Sequence, residues 1–193
     1  GITALISFKG VDYFNDLVFG SNSKELLKGE WISSDYGDPA VLIATPKVLK
    51  RVEENDSVAP LTSGGETFKS GSLSGELFVS LKTMKLPQNN KFDLDKSVDE
   101  VYNSLVSKGA KNIVSKHEDF TTIHGIDGIK VYGTMDLKDP ESGKIEKKEY
   151  AILNFAQNGG FQQIMVIYNA NDKYLDEIQS RVINSVEFEN ASS

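Results

Sequence analysis

The chain has no cysteine among its 193 residues. That absence excludes a disulfide framework, a thiolate-ligated zinc or iron–sulfur centre and a thiol nucleophile. A chain of this length can bury a core that stands without such staples, and one domain is the default. Imidazole is nearly as scarce, with His117 and His124 the two histidines. They lie seven apart, an odd spacing that puts them on opposite faces of a continuous strand, so only a turn near Gly125 would let them converge. A zinc site would need a third ligand, with Glu118 or Asp119 the nearest, and a catalytic triad would need a positioned serine that no motif supplies. Both histidines therefore read as surface or strand-end residues.

Other chemistries lack their motifs. Glycine is plentiful, at 16 residues, yet neither a Walker loop nor G-x-G-x-x-G can be written onto them in a strand-to-helix setting. Gly71-Ser72-Leu73-Ser74-Gly75 has the glycines of a nucleophile elbow but leucine at its centre, and reads as flexible linker. Asp93 to Asp99 begins like a calcium loop, but Val98 stands where the turn needs glycine and Ser104 where a bidentate glutamate belongs. A helix N-terminus enriched in acids explains the same residues. The carboxylate pairs Asp136/Asp139 and Glu146/Glu149 are odd-spaced around a turn, with nothing to split their pKa values. No catalytic, cofactor-binding or metal-binding residue is assigned, and no cofactor is expected.

Charge narrows the partners. Twenty-eight acidic against 21 basic residues give a net charge of −7, which disfavours nucleic acid and anionic lipid unless the basic residues gather on one face. No gathering is visible along the sequence. Its densest basic run, Lys144 to Lys148, reads as a solvated hairpin edge where lysines discourage edge-to-edge pairing. The apolar stretch Ile2 to Phe8 is far shorter than the roughly 20 residues of a membrane span. With Met84 the first methionine, Gly1 reads as an internal or processed start. Ile2 to Phe8 is then either an ordinary first element or the trailing end of a removed signal or membrane tether.

What is present is periodicity. Val11, Phe14, Leu17 and Val18 at helical spacing predict a helix over 11–19, with a further turn at Ser23 to Lys28. Pro39 to Thr45 reads as a buried strand, Thr67 to Lys69 as a short one and Glu76 to Leu86 as a long one closed by Pro87. Ser97-Val98-Asp99-Glu100 has the form of a capping box opening a helix that ends at Lys108 and Gly109. Ile113 to Ile123 is a weaker strand, and Ile129, Val131, Met135 and Leu137 line one face of a stronger one. Tyr150 to Phe155 and Phe161 to Tyr168 form a hairpin about Asn158-Gly159-Gly160, the second strand apolar on both faces. Asn171 or Asp172 then caps a helix carrying Tyr174, Leu175, Ile178 and Val182, before the apolar coda Val186 to Phe188. The expectation is one antiparallel sheet with two principal helices.

That closing hairpin, helix and coda, in which Ile178 to Ile183 runs into Asn184-Ser185-Val186-Glu187-Phe188, resembles the Mog1/PsbP-like superfamily over about residues 75–188. The resemblance implies an α+β fold in which an antiparallel sheet is flanked by helices as an α/β/α sandwich, used mainly for binding or assembly. A smaller likeness, Gly29-Glu30-Trp31 after a short helix, resembles the opening of a lipocalin-like barrel, which implies a carrier of a small apolar ligand. The expected organisation is an N-terminal helical appendage at 1–35, a single α+β domain at 36–188 and a disordered tail at 189–193. The expected role is a non-catalytic module of the bacterial cell envelope, periplasmic or membrane-anchored, that binds a protein partner and not nucleic acid. Its working surface would be the N-terminal appendage or the polar loops Glu53 to Ser74 and Asp139 to Gly143, because the apolar residues of Tyr150 to Phe188 serve the core.

Overall fold

The computed structural model describes residues 21–53, 65–88 and 92–189. The helix expected over 11–19, the apolar stretch Ile2 to Phe8, most of the loop after Glu53 and the last four residues lie outside the described residues. Three helices and ten strands are described, a mixed α+β arrangement that is mostly sheet. The helices are α1 (Ser21–Lys28), α2 (Leu94–Ser107) and α3 (Lys173–Ser185). The strands are β1 (Ile32–Tyr36), β2 (Val41–Thr45), β3 (Lys50–Val52), β4 (Glu66–Gly71) and β5 (Leu77–Lys85), then β6 (Lys111–Thr121), β7 (Asp127–Lys138), β8 (Ile145–Phe155), β9 (Gly160–Asn169) and β10 (Glu187–Phe188).

The single expected sheet is two. A seven-stranded sheet runs β3-β4-β5-β9-β8-β7-β6, and a three-stranded one runs β1-β2-β10, every pairing antiparallel. The coda is what escapes a local reading: Phe188 pairs with Val41, at the far end of the chain, so its partner is set by tertiary packing. The large sheet is open, with β3 and β6 at its edges. Among the described residues it closes no lumen of the kind that the lipocalin-like alternative implies. Trp31 plugs no barrel. Its indole Nε1 donates to the Leu27 carbonyl at 3.1 Å and its ring carries the Arg181 guanidinium 4.0 Å away, clamping α1 against α3.

Period-2 alternation on β9 explains how the faces are divided. Ile164, Val166 and Tyr168 join a core with Leu175, Ile178 and Val182 of α3 and with Val41, Ile43 and Phe188 of the small sheet. Met165 and Ile167 point the other way, into a core with Val101 and Leu105 of α2 and with Val131, Met135 and Ile152. Residues 21–35 are part of this packing, α1 lying on α3 and β1 pairing with β2. Ser23 of α1 donates to the Asp172 carboxylate at 3.0 Å, the same carboxylate that caps α3 by accepting from the Tyr174 and Leu175 amides.

Helix α2 opens earlier than the capping-box pattern predicts. Its cap is Asp93, whose side chain accepts from the Asp95 amide at 2.9 Å. Ser97 therefore falls inside the helix, on the same stripe as Val101 and Leu105, at i, i+4 and i+8. It is buried there, donating to the Leu94 carbonyl and accepting from Asn154 Nδ2 at 3.0 Å. The helix ends as expected: Gly109 adopts φ +90°, with Ala110 N–H bonded back to Leu105 and Gly109 N–H to Val106. Asn158 and Gly159 both take positive φ, matching the primed turn that the Asn-Gly pair predicts between β8 and β9.

Candidate functional site

Helix α2 lies over β6, β7 and β8 and does not extend across the other half of that sheet face. A groove of about 850 Å3 occupies the space beside its flank. The floor is set by strand register. Phe78, Ser80 and Lys82 alternate along β5, Lys69 sits opposite Ser80 and Thr67 opposite Lys82, and Gln163 and Met165 of β9 complete it. One wall is the outer side of α2, from Glu100 through Asn103 and Ser104 to Ser107 and Lys108. Two hairpins frame the same end of it: Gly71 to Ser74, from the end of β4 into the turn before β5, and Leu137 to Pro140, from the end of β7 into the turn before β8.

Gly71 to Gly75 forms this tight hairpin loop instead of a flexible linker. Gly75 N–H donates to the Ser72 carbonyl at 3.1 Å, and the Ser72 and Ser74 hydroxyls lie 3.3 Å apart. Gly71 has φ +77°, and a Cβ there would collide with the Leu77 carbonyl oxygen, so the loop needs glycine at this position. The Asp139 loop is equally self-contained. Its carboxylate accepts from the Glu141 amide at 2.9 Å and the Ser142 hydroxyl at 3.1 Å, and those bonds hold the Asp139 pKa below its ordinary value.

Lys148 corrects the reading of Lys144 to Lys148 as a solvated edge. Strand β8 lies between β7 and β9, and Lys148 is 1 % exposed. Its ammonium donates to the Gly75 carbonyl at 2.8 Å and to Asn169 Oδ1 at 2.5 Å, and pairs with the Glu146 carboxylate at 3.2 Å. Three acceptors offset the desolvation that would otherwise make a buried ammonium costly. The bond to Gly75 ties the β4–β5 hairpin, and with it one end of the groove, to β8. Beside it, burial and the Asp172 carboxylate push the Glu76 carboxyl above its ordinary pKa, with Lys148 acting in the opposite direction. The signal was legible: Lys148 shares alternation with Tyr150 and Ile152, so its parity assigns it to the inner face.

A second buried network fastens α2 over the sheet. Gln163 Nε2 donates to Asn154 Oδ1, and Asn154 Nδ2 to Ser97 Oγ, each at 3.0 Å. Asn154 and Ser97 are both buried, so each satisfies the other in a medium where an unpaired polar group costs about 1–3 kcal/mol.

The remaining sequence candidates stay apart from the groove. His117 lies on the edge strand β6 opposite Val131, and His124 in the turn beyond Thr121; both are exposed. The His124 contact is through its backbone, whose N–H donates to Glu187 at 3.0 Å, while Thr122 donates to the same carboxylate at 2.8 Å. Asp93 and Asp95 serve the cap and first turn of α2. Among the described residues no three His, Cys, Asp or Glu side chains are grouped to hold a metal ion, and no helix is long and apolar enough to cross a membrane.

The structure gathers what the sequence scatters. Lys69, Lys82, Lys108, Lys138 and Lys148 come from four strands and the C-terminal cap of α2 to line one groove, and Lys50 on β3 faces Lys69 across the strand pair. Both polar loops singled out in the sequence contribute to it, through Gly71 to Ser74 and through Asp139 and Pro140. A scan against protein-family models and a search of curated proteins each return no match.

Proposed function

We propose that the chain is a non-catalytic binding or assembly module that receives a protein partner in the groove between α2 and strands β4, β5 and β9. The observation that carries this reading is an 850 Å3 groove, open beside α2, on a face whose other half is closed core. Its lining mixes a few apolar side chains with serines and lysines, the composition of a recognition surface that orients a bound segment by polar contacts. The titratable groups lining it are lysines and carboxylates, two of which are engaged in local bonds, and neither histidine is among them.

The finer fold belongs to the same proposal. The arrangement is an α/β/α sandwich of the Mog1/PsbP-like kind, and what supports it is the placement of α2 in the core of one face and α3 in that of the other. An experimental structure that failed to superpose on that superfamily would remove the likeness without touching the groove.

In-cell photo-crosslinking tests the groove. A photoreactive residue at Ser80, on the floor, is expected to trap a discrete partner band that disappears when Ser104→Trp occludes the groove. The same residue at Ser180, exposed on α3, is expected to give none. Equal crosslinking from both sites, or a Ser80 band indifferent to Ser104→Trp, would contradict the assignment.

A further inference from the structure

We infer that the segment taken by the groove is acidic, its carboxylates held by Lys82 and Lys138 and an apolar neighbour resting on Leu73. The inference rests on the groove being the binding surface and adds the chemistry of its occupant.

The groove runs against the charge of the chain. Eight charged side chains line it, five lysines against Glu100, Asp139 and Glu146, in a protein of net charge −7. Two of the three acids are already engaged: Glu146 pairs with Lys148 at 3.2 Å, and Asp139 accepts from the Glu141 amide and the Ser142 hydroxyl of its own turn. Lys148 is correspondingly spent on Glu146, Asn169 and Gly75. Counted together, five lysines against three carboxylates give the lining a formal charge of +2 where an incoming chain would lie. Cross-strand register reinforces it. Lys50 and Lys69 are direct partners on one face, and Lys82 lies diagonal to Lys69, opposite Thr67. Lysines on three adjacent strands thus share the face that an incoming carboxylate would meet.

A nucleic acid carries anions too, but the lining does not suit one. Base recognition in single strands needs exposed rings for stacking, whereas the one aromatic residue lining the groove, Phe78, is 6 % exposed. Outside the groove the net negative charge would repel a continuous phosphate backbone.

The test is fluorescence anisotropy on the full chain with three labelled probes: a short peptide of alternating glutamate, serine and leucine, its glutamine-for-glutamate counterpart, and oligothymidylate. The acidic peptide is expected to bind about tenfold or more tighter than the glutamine peptide, and to lose about tenfold in affinity in the double variant Lys82→Glu, Lys138→Glu. Added salt is expected to weaken it, and Ser104→Trp to abolish it. Should the double variant fail to fold, shown by its circular dichroism melt, Lys82→Gln with Lys138→Gln tests the same dependence. If both peptides bind alike and only Ser104→Trp matters, the acidic specificity is wrong while the groove stands. Tighter binding of oligothymidylate than of the acidic peptide overturns the inference in favour of nucleic acid. Absence of peptide binding overturns it as well, and the Ser80 crosslink then decides whether the groove assignment falls with it.

Discussion

The face of the large sheet that looks toward α2 has two halves made by the same alternation and put to opposite use. Under the helix, Val131, Met135 and Ile152 meet Val101 and Leu105 in closed core. Beside it, the equivalent positions on β4 and β5 are Thr67, Lys69, Ser80 and Lys82, lining an open groove. Period-2 patterning tells which residues share a face; it does not tell where the covering helix stops. The change from aliphatic to lysine and serine marks that limit, and Lys148, buried yet charged, lies at the border between the halves.

Substitutions break the comparison if they behave alike on both sides. Leu105→Ala removes a fully buried side chain from the covered half and is expected to cost about 3–4 kcal/mol in denaturant unfolding. Ser80→Ala on the open half is expected to stay within about 0.5 kcal/mol. A comparable loss at Ser80 would mean that the groove is closed core in solution. At the border, Lys148→Ala leaves Glu146, Asn169 and the Gly75 carbonyl without their shared donor, and is expected to cost about 3 kcal/mol. Ser97→Ala deprives Asn154 of its acceptor and is expected to cost about 1 kcal/mol, loosening α2 over the sheet.

The smallest expected effect is a pH dependence at Glu76. Its folded pKa is raised, chiefly by burial, so the fold favours the protonated form. That contribution is complete below the ordinary glutamate value of 4.5 and is lost as pH rises through the raised folded pKa. Glu76→Gln is therefore expected to melt slightly above the wild-type chain at neutral pH, with the gap closing in acid. A gap that widens in acid would refute the assigned sign.

Much of the fold was legible because it is local. The β8–β9 hairpin follows from Asn158-Gly159 and two apolar runs, and α3 follows from Asp172 and a clean helical stripe. The misreadings are tertiary. Ser97 looked like a cap because Ser and Glu stand three apart, yet Asp93 starts the helix a turn earlier and leaves Ser97 facing Asn154. Phe188 reads only as part of an apolar coda, yet it pairs with Val41 in the small sheet. The groove was the least legible of all. Its lysines come from β4, β5, β7, β8 and the C-terminal cap of α2, and no window of sequence contains them; only the two flanking loops were named in advance.

The most direct measurement is a two-dimensional amide NMR titration of the full chain with the acidic peptide. The account expects shifts concentrated at Lys69, Ser80 and Lys82 on the floor and at Ser104 and Ser107 on the wall, with α1 and the outer side of α3 silent. Shifts centred on α1 and α3 or along the β6 edge, with the groove residues unmoved, would contradict it.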